Sequence, residues 1–320
     1  MLLNVQPRMR VLIDNDFSGD PDDLFQLAHH LLSPSVKVCG ITGSHLWPGD
    51  WIDPSPDSAA NAVSCANELL EVIGLTGTVP VYLGAPTALP DPFTPLPSDA
   101  ADAIIAEALR EDSLPLYVVC GAGLTDLASA LIRQPDIAER MTVIWIGGEE
   151  YPDLAVPPPG SRGMEYNLHI DINAGIQVFN HSRARLWQVP RNAYRQCLVS
   201  HAELQTRVRP YGALGHFLCE AIEKLLDNMS GRGLRMGETY VLGDQPLVSL
   251  TALQTAFEPS PASSFFVERD TPTLLPDGKY GPGTMSRPIR IYTQIDTRLM
   301  FEDFYQKLAL FASPDSGKGT

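Results

Sequence analysis

The chain has 320 residues, 44% hydrophobic and only 19% charged, enough apolar material for a large buried core and too much for a disordered polymer. Its 23 basic against 38 acidic residues leave a formal net charge of −15, which phosphate backbones and anionic lipid repel, so neither nucleic acid nor a membrane is an expected partner. No apolar run approaches the roughly 20 residues of a membrane span, and five scattered cysteines without a Cys-x-x-Cys pair suit free thiols in a reducing compartment.

The opening residues carry no basic–apolar–cleavage arrangement, so a cytoplasmic location is expected. Residues 10–14 (RVLID) are a short apolar run ending in acid, as a buried strand would be. Leu24, Leu27, Ala28, Leu31 and Leu32 then recur at helical spacing. Asp22 and Asp23 fall in the first turn of that helix, where its dipole favours negative charge. Strands at 36–42, 79–83, 116–120 and 142–146 alternate with helices at 57–73, 101–110 and 124–132. This alternation predicts an α/β fold with a mostly parallel central sheet flanked by helices.

Past Gly148 the pattern loosens. Residues 149–163, with their PPPG run, read as a loop long enough to need a function. A helix follows Asp171, then a strand at 186–189 and a helix opened by a Ser200/Glu203 capping box. Helices at 214–228 and 246–256, β-rich segments at 265–268 and 289–294, and a helix at 298–311 complete the reading. With no internal repeat or linker, residues 1–312 read as one domain and 313–320 (SPDSGKGT) as a frayed tail.

The informative segment is residues 14–23, DNDFSGDPDD, with five carboxylates at the carboxyl end of the first strand. In open α/β sheets that edge binds ligands. Like charges so placed raise one another's pKa and destabilise the fold unless a cation sits among them. A solvated acidic turn would account for Asp22 and Asp23 but not for Asp14 and Asp16. Carboxylates without His or Cys partners suit a hard ion, Ca²⁺ or Mg²⁺. An EF-hand loop fails, because its twelfth position is Phe25 and a strand precedes it. A haloacid-dehalogenase-type phosphatase would use Asp14 as nucleophile, but the second acidic pair it needs is missing around Asp244.

Strand–DxD–DD–helix at the N-terminus resembles the nucleoside hydrolase family, Ca²⁺-dependent enzymes that cleave the N-glycosidic bond of ribonucleosides. This chain carries two more residues between the second Asp and the Asp-Asp pair than the common form. Three later segments add to the likeness. VVCGAGLTDL at 118–127 is similar to the family's strand–Gly-Gly-Leu-Thr-Asn–helix turn, EYNLHID at 165–171 to its Glu-Phe-Asn-x-x-x-Asp segment, and LGDQP at 242–246 to its late His-Asp-Pro.

The resemblance implies a Rossmann-like architecture and a Ca²⁺ ion held by Asp16, Asp23, the carbonyl of Gly121 and Asp244. It implies Asp16 as general base, Asp22 on the ribosyl 2′-hydroxyl, and Glu165 and Asn167 on the 3′- and 5′-hydroxyl side. Asp14 would support the loop, and a nucleoside or N-riboside would be the substrate of a homodimer or homotetramer. The family's His before the late Asp, which protonates the departing base, is Gly243 here. His45 is a candidate replacement acid, and Trp47 or Trp51 a stacking surface for the base. His169 and His201 read as structural, and His29 and His30 as lying away from the site. Residues 149–163 and 230–237 are expected to be mobile covers over the pocket. Gly243 keeps two further readings open: a non-catalytic sugar or nucleoside binder on the same fold, and hydrolysis of another N-glycoside whose leaving group needs no protonation.

Overall fold

In the computed structural model, which describes residues 5–161, 163–254, 263–283 and 286–313, the first strand, β1 (Met9–Asn15), is buried along its whole length. It is followed by α1 (Asp22–Leu31), β2 (Val36–Gly43), α2 (Ser58–Val72), β3 (Val81–Leu83), α3 (Asp99–Leu109), β4 (Leu116–Cys120), α4 (Thr125–Arg133) and β5 (Met141–Ile146). Two short helices, α5 (Tyr166–Ile170) and α6 (Ile172–Ile176), lead to β6 (Arg185–Val189), α7 (Arg191–Tyr194), β7 (Leu198–Ser200) and α8 (His201–Glu203). The long α9 (Gly212–Gly231) precedes β8 (Thr239–Val241) and α10 (Pro246–Ser249). Then come β9 (Phe265–Asp270), the small pair β10 (Thr273–Leu274) and β11 (Tyr280–Gly281), β12 (Pro288–Gln294) and α11 (Thr297–Phe311).

Eight strands form the central sheet in the order β3-β2-β1-β4-β5-β6-β12-β9. All neighbours run parallel except β9, which is antiparallel to β12. The mostly parallel α/β sheet expected from the alternation is therefore present. From β1 the chain winds outward through β2 and β3, then returns to place β4 on the other side. The order reverses between β1 and β4, and at such a reversal the loops leaving the strand ends diverge and open a crevice. Asp14 pairs with Cys120 across these two strands, so Asn15, Asp16 and Gly121 leave the sheet side by side.

Side chains alternate across β1 as the pleat requires. Val11 and Ile13 join Phe25, Leu27 and Phe304 in the core on one face, while Leu12 joins Val118, Leu127 and Trp145 on the other. Phe25 holds α1 through the ring of Phe304 on α11, 5.9 Å away between centroids. His29 and His30 are fully buried on the same helix, and burial pushes both imidazoles below their usual pKa. His29 reaches Asp303 Oδ2 at 2.8 Å and Gln245 Oε1 at 2.7 Å. It thus ties the helix bearing Asp22 and Asp23 to the residue beside Asp244, closer to the site than the sequence suggested.

The capping box at Ser200 and Glu203 forms as expected. The helix expected at 246–256 ends at Ser249, and residues 255–256 lie outside the described residues, as do 314–320 of the expected tail. Strands β7 and β8 and helix α7 went unread, because three or four residues cannot show a period.

Phe25→Ala should lower the unfolding free energy by about 3–5 kcal/mol in urea titrations, the cost of an unfilled aromatic cavity. Val156→Ala, at 85% exposure, should stay within about 0.5 kcal/mol of the parent.

Candidate active site

β1 ends by delivering Asn15, a fully buried amide. Its Nδ2 donates to Asp244 Oδ2 at 2.8 Å, Gln26 Oε1 at 3.1 Å and Asp23 Oδ1 at 3.3 Å, and its Oδ1 accepts the Gly121 N–H at 2.7 Å. One side chain thereby connects the first strand, α1, the turn after β4 and the late acidic segment. Asp22 makes a second connection, accepting the backbone N–H groups of Gly243 and of Asp244, the latter at 3.1 Å. Asp14, at the strand end, accepts from the Ser44 hydroxyl.

Asp16 lies within hydrogen-bond reach of Asp23, and Asp23 of Asp244. Burial, then the charges of their neighbours, push the carboxyls of Asp23 and Asp244 well above the usual carboxylate range. Burial pushes Asp16 up to about 7, the charges of Asp22 and Asp50 adding to it and the hydrogen bond with Asp23 opposing it. Asp22 is likewise pushed up to about 7 by burial, against the N–H groups it accepts.

Such a group is costly unless protons or a cation neutralise it. Its chemistry fits a hard divalent ion. Asp23 Oδ2 is buried without a hydrogen-bond partner. A Cβ at Gly121 would collide with the Asp244 carboxyl, so only glycine lets the β4 turn approach so closely. The donors are all oxygens. Among the described residues no three His, Cys, Asp or Glu side chains stand as a ready metal cage; here Asp23 and Asp244 both accept from Asn15, and the candidate donor set includes a backbone carbonyl.

Asp16, Asp22, Asp23, Gly121, Glu165, Asn167 and Asp244 all line one cleft of about 270 Å³, with Asp20 from the two-residue insertion also in its wall. Asn167 spends both amide protons on the carbonyls of Gly121 (2.6 Å) and Ile146 (2.9 Å), leaving its Oδ1 to accept. Glu165 is fully committed. Its two oxygens accept from the N–H groups of Gly148 (2.7 Å), Leu168 (3.0 Å) and Asn167 (3.2 Å) and from the Tyr194 hydroxyl (2.9 Å).

His45 and Trp47 depart from expectation, for neither lines the cleft. His45 is buried, with Nδ1 3.0 Å from Leu46 O and Nε2 3.0 Å from Thr125 Oγ1; both ring nitrogens are engaged, so it is not poised as an acid at a leaving group. Trp47 stacks on His169 with centroids 3.7 Å apart. Trp51 is the tryptophan in the wall, with the Arg232 guanidinium 5.5 Å over its ring. No described residue of 149–163 or 230–237 lines the cleft, and Arg191 holds Glu149 and Glu150.

Sequence reasoning missed Asn15, Asp50, Tyr166, Tyr194 and Arg195. Asn15 had a readable signal, a polar residue inside a strand between two acids. Tyr166 donates to Asp50 Oδ2 at 2.7 Å, a contact 116 residues long that no spacing announces.

The geometry defines an α/β protein with an acid-lined ligand cleft at the reversal of its sheet. The family model described as inosine-uridine preferring nucleoside hydrolase matches residues 11–294, and the chain belongs to that family, whose members are N-glycosyl hydrolases. Among solved structures it is similar to a purine-preferring ribonucleoside hydrolase from Gardnerella vaginalis, at 17% identity and TM-score 0.72 over 95% of this chain and 99% of that one. It is also similar to a plant nucleoside hydrolase, at 18% identity and TM-score 0.70 over 94% and 99%. The type III effector protein XopQ, solved with adenosine diphosphate ribose, shares the fold at 14% identity and TM-score 0.64 over 96% and 94%. These likenesses show the fold. Comparison with curated proteins gives no match in sequence.

Gly121→Ala should destabilise the protein by at least about 2 kcal/mol in urea titrations, since the methyl must displace the Asp244 carboxyl and Asn15. Gly243→Ala, whose Cβ would lie 3.3 Å from Asp22 Oδ2 and from the Tyr194 ring, should cost less than half as much.

Proposed function

We propose that the chain hydrolyses the N-glycosidic bond of a ribonucleoside or related N-riboside in a Ca²⁺-dependent reaction, releasing ribose and free base. The observation that carries this is the convergence of Asp16, Asp22, Asp23, Gly121, Asn167 and Asp244 on one cleft from four separate segments. Asp16, Asp23, Asp244 and the Gly121 carbonyl would hold the ion. When bound, Ca²⁺ neutralises the cluster and makes a nearby water easier to deprotonate.

Asp16 takes the proton of the attacking water as its oxygen joins C1′. Asp22 accepts from the 2′-hydroxyl, and Asn167 Oδ1 accepts from a hydroxyl on the opposite side of the ring. Glu165, with all four acceptor positions used, acts by fixing Asn167 and Tyr194. The clustered carboxylates stabilise the positive charge that develops on the ribosyl ring. Gly243 leaves no imidazole on the departing base; it also motivates the non-catalytic binder, which membership in a hydrolase family does not favour. The reading includes a cytoplasmic setting, supported by five free thiols. It includes a homodimer or homotetramer as well, supported by the family resemblance.

A nucleoside panel assayed with calcium and with chelator tests the proposal. Ribose release that needs calcium is expected; none from any member at any calcium level would refute it. Asp16→Asn should lower kcat by about 10²–10⁴-fold. Calcium at 100 times its Kd should stabilise the parent by about 2.7 kcal/mol. Asp244→Ala should show no such gain in calcium-dependent melting.

A further inference from the structure

Arg195 is the one basic residue among those lining the acidic cleft. Arg191, on the same short helix segment, is bound by Glu149 and Glu150. Arg195 is exposed and makes no side-chain hydrogen bond or ion pair among the described residues, though its charge reaches Glu150 at longer range. It follows Tyr194, whose ring would lie 3.3 Å from a Cβ at Gly243, so segments 194–195 and 241–243 border one corner of the cleft. The carboxylates and Asn167 suit a polyhydroxyl ring, while Arg195 shares the cleft wall with Trp51, Ile52, Tyr166, Tyr194 and Val241, groups suited to a departing base.

Resting on the hydrolase reading above, we propose that Arg195 sets leaving-group specificity: its guanidinium donates to a carbonyl oxygen of the base and stabilises it as an anion. A guanidinium stays protonated at any working pH, so it balances charge without acting as an acid. In the step, the C1′–N bond breaks with its electron pair passing to the base, the water oxygen bonds to C1′, and the water's proton goes to Asp16. The base leaves as an oxyanion and regains a proton from solvent, to which Asp16 returns the one it took. The favoured substrates are ribosides whose leaving group can carry negative charge on oxygen. A riboside of a cationic base, which departs neutral, gains nothing from Arg195.

The test compares the parent with Arg195→Met and Arg195→Lys on inosine, uridine, inosine 5′-monophosphate and nicotinamide riboside. Arg195→Met should lower kcat/KM for inosine and uridine by about 10- to 100-fold, the value of one charge-assisted hydrogen bond. Nicotinamide riboside should be cleaved as fast or faster, and Arg195→Lys should recover part of the loss. Equal losses on every substrate, or none on inosine, would overturn the proposal, and so would a loss confined to the monophosphate, which would make Arg195 a phosphate grip. Calorimetric binding of xanthine needs no turnover and separates this proposal from the hydrolase reading. The parent should bind xanthine at least about tenfold tighter than Arg195→Met, with ribose bound alike by both; equal xanthine binding would refute the role of Arg195 even in a protein that cleaves no nucleoside.

Discussion

Asp16, Asp23 and Asp244 are at most 6% exposed and stand within hydrogen-bond reach along the series, an arrangement that like charges oppose. Few protein interiors tolerate it without protons or a cation. The surrounding structure depends on this constraint. Asn15 supplies amide protons to two of the carboxylates, Asp22 binds the backbone on which Asp244 sits, and Gly121 forgoes a side chain so that β4 can approach. These features hold the oxygens close despite their repulsion, which is costly unless protons or a cation neutralise them.

The sheet supplies the geometry. Reversal of strand order between β1 and β4 places two backbone turns side by side at the carboxyl edge. The late acidic segment reaches the same point because α1 is fastened to it through His29 and Gln245. Residues hundreds of positions apart meet through packing in the core. An aromatic contact between α1 and α11 consequently matters to a polar site that neither ring touches.

Most of the inner site was legible in the sequence, because acids at the end of an apolar strand have few structural explanations. Asp14 and Asp16 stood out by residue type and position, Asp22, Asp23 and Asp244 entered as ion or sugar groups only through the family resemblance, and the alternation of elements gave the parallel sheet. The outer half of the cleft was not legible. His45 follows the second strand as a candidate acid should, yet its ring turns inward to Thr125. Trp47 pairs with His169 while Trp51 takes the cleft wall. Tyr194 ends a helix too short to carry a pattern and Arg195 caps it, and only the three-dimensional position of Gly243 gives them meaning. Glu165 was singled out through the family resemblance and lines the cleft, but the four donors that occupy its carboxylate were not foreseeable from its spacing.

The two halves of the cleft differ in kind. Around the carboxylates the wall is densely bonded, with Asn15, Glu165 and the Gly121 turn committed to their neighbours and Asp23 Oδ2 left without a partner. Elsewhere in the cleft wall, Arg195 makes no side-chain hydrogen bond or ion pair among the described residues and Trp51 presents an aromatic ring, so changes there leave the buried carboxylate contacts in place. The most direct test of the central claim is a high-resolution structure grown with calcium and ribose. The account predicts one ion at about 2.3–2.6 Å from oxygens of Asp16, Asp23, Asp244 and Gly121. Ribose bound in the cleft with the carboxylates still paired to each other and no ion between them would contradict it.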